Sequence, residues 1–431
     1  MPVAACRLEW PLVPSRPALL ASLAGLLSGA RGRVLWFCWL GWVFDFHDLI
    51  LFSFSKRVIA AELQIEGGAL AWIEGAGLFA SAVGGYAFGR FADRHGRRRA
   101  MSTSILVYSL GALLTACASG PWTLLVARAC AGLGVGGEWG IGHAVIAETF
   151  DGRDRDRAHG LLQAGSPLAM ALAACTGLFL APVVGWRIVF ALSALPALLV
   201  FLARRAMPGL DRPPSVATEL ATAGGLTARP HRRASCVLFV ILLLHMTGFW
   251  CVYAELPAAL MRDLRATPGD AGAFQLVVNS AHLLADVAFG VLASKFGRGR
   301  VFVAFCVFAV VTQLLMALSW NVLAQDLVWF TAAAFATGLS AGTWSCFGAW
   351  FGMHYPPHLR ATAAAFLYST SRGAQLFAKP GSHALSEWFG SMQPALWVGA
   401  ACAGLSALMV PFLPRVAVPK LSAAAATERS R

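Results

Sequence analysis

Asp45, His245, His282 and Arg372 stand in the middle of long apolar runs. Counting about 1.5 Å per helical residue from the nearest run end puts each roughly 16 Å deep. A charge near a bilayer centre costs on the order of 3 kcal/mol on insertion scales, so each is expected to face a partner or a cavity. An arginine is always charged and can grip a carboxylate through two parallel hydrogen bonds. Arg372 is therefore the leading candidate to hold a small organic anion, with Tyr368 one turn before it and Gln375 one turn after. The competing reading makes Arg372 a structural partner of Asp45 or Asp286. A carboxyl withdrawn from water beside a cation exchanges its proton according to whether the cation is engaged. Asp45 is on that ground the preferred proton carrier, and Asp48, one turn outward, is its competitor.

His282 and Asp286 sit i,i+4 and share a helix face. They are read either as a substrate-binding or proton-relaying couple or as a self-contained structural pair. Arg128 and Glu138 share another apolar run. Arg128 is placed with the substrate-binding cations or as a modulator of Asp45, and Glu138 as a third proton candidate or a tie between helices. His245 has no partner nearby in sequence and is read as packing or cavity lining, and Glu74 and Lys379, nearer run ends, as interfacial residues. Trp42, Phe46, Trp250, Trp344 and Trp350 are read mostly as packing or lipid-facing rings, with a minority of them lining the cavity. No nucleophile motif, metal-ligand set or phosphate loop accompanies these groups, so neither an enzyme nor a cofactor is expected. The ten cysteines form no Cys-x-x-Cys pair, which fits packing residues rather than a disulfide or zinc framework.

These residues need elements that hold them at depth. The 431 residues are 58% hydrophobic and 13% charged, with a mean hydropathy of +0.65, which excludes an ordinary soluble domain. A spanning helix needs about 20 apolar residues. Runs of that kind lie near 34–55, 69–91, 100–118, 122–147, 159–182 and 187–204, and again near 235–256, 271–294, 300–319, 326–353, 361–385 and 393–414. The fold class expected is an all-α membrane protein of twelve transmembrane helices in two pseudo-symmetric six-helix bundles, 34–204 and 234–415. A segment 1–33 precedes them, a polar linker 205–233 joins them, and an Ala-rich tail 416–431, read as disordered, follows. The stretch 17–30 is read as an amphipathic lead-in rather than a cleaved signal.

The net charge of +13 comes from basic clusters in the loops after helices 2, 4, 6, 8 and 10, whereas the opposite loops hold only Lys56, Arg57, Arg187, Arg262 and Arg265. By the positive-inside rule both termini and the linker are cytoplasmic, in a multi-pass inner-membrane protein. Such clusters are loop anchors and not a nucleic-acid stripe.

One loop motif occurs twice. Gly89-Arg90-Phe91-Ala92-Asp93-Arg94-His95-Gly96-Arg97-Arg98-Arg99 follows helix 2, and Gly290-Val291-Leu292-Ala293-Ser294-Lys295-Phe296-Gly297-Arg298-Gly299-Arg300 follows helix 8. The repeat predicts two related halves. The first copy resembles the loop signature of the major facilitator superfamily, and Arg128 to Gly140 resembles the arginine, glycine and glutamate run of its metabolite:proton symporters. Phe44 to Asp48, Gly160 to Pro167 and Arg360 to Gly373 are similar to the sialate/lactate:proton branch in particular. Asp211 and Arg212 lie in a degraded form of the run that often follows helix 6 in this family.

The resemblance implies the superfamily fold and proton-coupled symport of a small organic acid by alternating access, with a drug:proton antiporter or a carrier of a neutral solute as the alternative. The partners expected are an organic anion, protons and the lipid bilayer, with the chain a monomer. Gly89, Asp93, Arg94, Gly96 and Arg97 become a conformational latch. In the superfamily, helices 1, 7, 8 and 11 border a central cavity, which is where the depth count puts Asp45, His245, His282 and Arg372.

Overall fold

The computed structural model describes residues 23–205, 225–253, 255–377, 381, 384 and 388–415. Most of the N-terminal segment, the core of the linker with Asp211 and Arg212, Lys379 and the tail 416–431 lie outside the described residues.

Within them the regular structure is helical, as it must be where lipid offers no hydrogen bonds and each segment satisfies its own backbone. The first group comprises α1 (Gly29–Glu62), α2 (Gly67–His95), α3 (Arg97–Ala116), α4 (Pro121–Thr149), α5 (Gly152–Val184, with a π-turn at Cys175–Leu180) and α6 (Trp186–Arg205). The second comprises α7 (Arg229–Val252), α8 (Pro268–Phe296), α9 (Arg298–Leu318), α10 (Leu327–Gly338 and Trp344–His354 joined by a 3-10 turn, Leu339–Thr343), α11 (Pro357–Gly373) and α12 (Gln393–Met409). Several helices outrun their apolar stretches, α1 reaching Glu62 and α5 starting at Gly152, because hydropathy marks only the lipid-facing length. Among the described residues six helices are long and apolar enough to cross a membrane: Gly29–Lys56, Gly152–Val184, Arg229–Val252, Gly269–Phe296, Arg298–Leu318 and Gln393–Phe412.

Within the first group α2, α3 and α4 pack together, α3 leans on α6, and α1 lies along α5. Within the second, α12 packs on α7 and α9, and α8 packs on α10. The groups meet where α11 lies against α2 and α4, and where α5 lies against α8. Small residues permit the closeness of these crossings. A Cβ added at Gly140 of α4 would collide with the backbone of Ala365 in α11, and Ser369 of α11 donates to the Gly136 carbonyl of α4 at 2.9 Å. Gly140→Leu is expected to weaken this crossing by about 1–3 kcal/mol through overpacking. A lowered midpoint of thermal unfolding in detergent would show it, and an unchanged midpoint would mean the two helices do not touch there.

The repeated motif is a repeated structure. Gly96 and Gly297 both take a left-handed conformation, φ 97° and 89°, which glycine alone adopts without strain. Each donates its N–H to the carbonyl four residues back, Ala92 and Ala293, at 3.1 Å. Each thereby closes one helix and swings the next arginine, Arg97 or Arg298, toward the opposite group.

Candidate functional site

Between the groups lies a small cavity. Trp42 and Phe46 of α1 with Gln163 and Ser166 of α5 line one side. Met246, Phe249 and Trp250 of α7, His282 of α8, Trp344 of α10, and Tyr368 and Arg372 of α11 line the other. Most of the large aromatics face the cavity rather than lipid, against the expectation from sequence. Trp42, Phe46, Trp250 and Trp344 all line the cavity, and Trp350 is buried against Phe302. An aromatic ring suits a pocket wall as well as lipid, so hydropathy does not separate the two.

Arg372 is 1% exposed. Its Nη2 donates to the Val135 carbonyl at 3.4 Å, and its guanidinium carbon stands 5.3 Å from the centre of the Tyr368 ring. Its Nε and Nη1 are buried without a hydrogen-bond partner among the described residues. Asp286 stands 3.4 Å from His282 rather than in an ion pair with Arg372 among the described pairs. A buried cation with two idle donors has an unmet demand for an acceptor.

Tyr368 is clamped flat on Trp139 of α4, ring centres 3.9 Å apart and planes 12° from parallel. The Trp139 indole donates to Gln163 at 3.0 Å, so α4, α5 and α11 share one support for the ring beside the arginine. Asp45 is fully buried on α1, and both it and Arg372 act electrostatically on Tyr368. The carboxylate, the phenol and the guanidinium are thus brought into one neighbourhood.

The remaining candidates occupy defined places around it. His282 Nε2 lies 3.4 Å from Asp286 Oδ2, outside hydrogen-bond geometry, while Asp286 Oδ1 accepts from Ser345 at 2.8 Å. Gln375 donates to the Ser371 carbonyl at 3.1 Å and reaches Thr247 of α7 at 3.5 Å. Arg128 is bound to Asp48 at 3.1 Å and lies over Phe52, 4.7 Å from its centre, away from the cavity lining. Glu138 accepts from Ser104 at 2.9 Å, tying α4 to α3. His245 bonds to Ser406 at 3.1 Å and Thr343 at 2.9 Å, partners far away in sequence. Glu74 pairs with Lys56 at 3.0 Å.

The end of the bundle bearing the arginine loops is closed by polar contacts between the groups. Asp93 accepts from the Thr362 backbone at 2.8 Å and its hydroxyl at 2.6 Å, and from Arg97 of its own group at 2.5 Å. Arg97 also donates to the Pro357 carbonyl at 2.7 Å and pairs with Glu148 at 2.8 Å. Burial would make Arg97 easier to neutralise, but Asp93 and Glu148 outweigh it and the guanidinium is held more firmly charged than usual. Gly89 admits the backbone of Ala361 and Thr362, and Arg94 is exposed. At the second copy of the motif Arg298 crosses the other way to bind Asp156 of α5. The sequence offered no sign of a further buried pair, His143 on α4 and His159 on α5, whose Nδ1 atoms are 2.8 Å apart.

Comparison with known proteins agrees with this architecture. A family model for the Major Facilitator Superfamily matches residues 19–235 and 238–430. A probable 4-methylmuconolactone transporter of Cupriavidus pinatubonensis is 26% identical over 354 residues, 80% of this chain and 81% of that protein. The sialic acid transporter NanX of Escherichia coli is 27% identical over 276 residues, 63% of this chain and 67% of that protein. Among solved structures, the proton:xylose symporter XylE superposes with a TM-score of 0.71 at 16% identity, covering 88% of this chain and 95% of that one. The relatives and the fold are those of multi-pass membrane transporters and not of enzymes.

Proposed function

The chain belongs to the Major Facilitator Superfamily, and from that premise we propose that it is a proton-coupled symporter of a small organic acid working by alternating access. The observation that carries the reading is Arg372, buried at the boundary of the two groups with two donors unused among the described residues. The substrate carboxylate accepts from Nε and Nη1, and Asp45 carries the proton. Twelve membrane crossings, with the arginine loops and both termini cytoplasmic in an inner membrane, complete the topology.

Coupling follows from charge. An anion on Arg372 and a proton on Asp45 leave the cavity neutral, so the halves can close over it, whereas half-loading would bury an uncompensated charge. The latch around Asp93 and Arg97 is the contact that must part when the cytoplasmic side opens.

The aromatic lining narrows the class. Rings of Trp42, Phe46, Phe249, Trp250, Trp344 and Tyr368 favour a flat, weakly hydroxylated acid over a polyhydroxylated one, because few polar side chains remain to satisfy several hydroxyls. Uptake into proteoliposomes with an acidic exterior tests this, comparing nicotinate, benzoate, N-acetylneuraminate and xylose. Accumulation of a flat monocarboxylate above its equilibrium level is expected. Uptake of xylose alone, or export of a lipophilic cation with no acid uptake, would replace the reading.

A further inference from the structure

His143 and His159 are both fully buried, yet neither reaches the cavity lining. Their hydrogen bonds fix their protons. The Trp139 indole can only donate, so the Gln163 atom that meets it at 3.0 Å is the carbonyl oxygen Oε1. His143 Nε2, 3.4 Å from that same oxygen, must then carry a hydrogen. In a neutral ring this leaves His143 Nδ1 as an acceptor, and His159 Nδ1, at 2.8 Å, is the donor to it. His159 Nε2 is thereby a bare lone pair, buried and without a partner among the described residues. The neutral pair has room for one more proton. Whichever ring takes the charge, His159 Nε2 becomes an N–H in need of an acceptor.

A carboxylate stands on the same helix. Asp156 precedes His159 by three positions and so shares its face, but its carboxylate is occupied by Arg298 from the other half. The other charges acting on His159 are Arg155 of α5, Arg360 of α11 and Arg298 itself. Arg360 is in turn shared with Glu148 of α4 at 3.4 Å, and Arg298 and Asp156 also act electrostatically on Cys346 of α10. In the closed arrangement an imidazolium would sit among arginines with no carboxylate to receive it. Parting the halves at this end removes Arg298 and frees Asp156.

We propose that His143 and His159 form a second proton-binding site, separate from the cavity carboxylate, which fills when the arginine-bearing end opens and holds it open by taking Asp156 from Arg298. The inference rests on the alternating-access reading above. A proton bound to the open state alone changes the open-to-closed ratio by up to about tenfold per pH unit. Acid on that side therefore favours opening toward it.

The test is a distance measured between spin labels at Arg153→Cys and Arg300→Cys, both exposed and on opposite halves, in a background with Cys6, Cys117, Cys175 and Cys236 changed to serine. Lowering the pH from 8 to 5.5 is expected to raise a longer-distance population. His159→Asn keeps a donor toward His143 but has no site for the extra proton, and should abolish the response. His143→Gln, which still reaches Gln163, should do the same and guards against a fold defect in the first variant. Asp93→Ala, which breaks the neighbouring latch, should raise the longer population at every pH. If it does not, alternating access at this end fails and the inference with it. If Asp93→Ala opens the end while the His159→Asn protein keeps its pH response, or the unmodified pair shows none, the histidine site alone is overturned.

Discussion

Arg372→Gln is expected to abolish specific binding of the transported acid, lowering apparent affinity by about two to three orders of magnitude. Truncating one partner of a buried charge pair costs about 2–5 kcal/mol, and about 1.4 kcal/mol is tenfold in affinity. The arginine supplies more than charge. Its guanidinium carbon stands over the Tyr368 ring, and Tyr368 is itself stacked on Trp139, so the guanidinium lies beside a fixed ring with Nε and Nη1 without a hydrogen-bond partner among the described residues. Arg372→Lys keeps the charge but not the fork, and should recover only part of the loss. Isothermal titration with nicotinate, or whichever acid the uptake panel selects, reads both variants. Affinity unchanged in Arg372→Gln would make the residue a structural cation and move the anion site elsewhere.

The depth of that residue and the turn of the repeated loop motif are legible in the sequence for different reasons. The loop motif is a local pattern: Gly96 must turn, Asp93 and Arg97 are one helical turn apart, and the same turn recurs at Gly297. Arg372 was found by height, since counting residues from a run end gives depth in a membrane whatever the neighbours are. What counting does not give is the direction a side chain faces, because helices apolar on all sides carry little amphipathic signal. Hence depth alone groups Arg128 with the substrate-binding cations, while the structure sets it against Asp48 at 3.1 Å. His143 and His159 escaped for the same reason. Each reads as a lone histidine near the end of an apolar run, and only the packing of α4 beside α5 makes them a pair. Arg360 to Thr362 lay between these cases. The tripeptide stood out by resemblance, but its use, the Thr362 backbone and hydroxyl donating to Asp93, needed the crossing of α2 with α11.

Asp45→Asn is expected to separate transport from its driving force. The substitution preserves side-chain size and removes the exchangeable proton from a fully buried position. With one proton carried per acid, a pH gradient of one unit drives up to about tenfold accumulation, since a free-energy difference of about 1.4 kcal/mol corresponds to a factor of ten. The Asp45→Asn variant should accumulate nothing above equilibrium, because its loaded cavity is neutral without taking a proton from the gradient, while its empty one carries the uncompensated charge of Arg372. Exchange of labelled for unlabelled acid should persist, because the anion still neutralises Arg372 and the loaded halves can still rock. Asp48→Asn offers the contrast. It would leave Arg128 buried without its carboxylate, a loss of about 3–5 kcal/mol for a broken buried pair, and so should lower thermal stability in addition to any effect on transport. Proteoliposomes with imposed pH gradients distinguish the two. Gradient-driven accumulation retained by Asp45→Asn and lost by a stably folded Asp48→Asn would transfer the proton to Asp48.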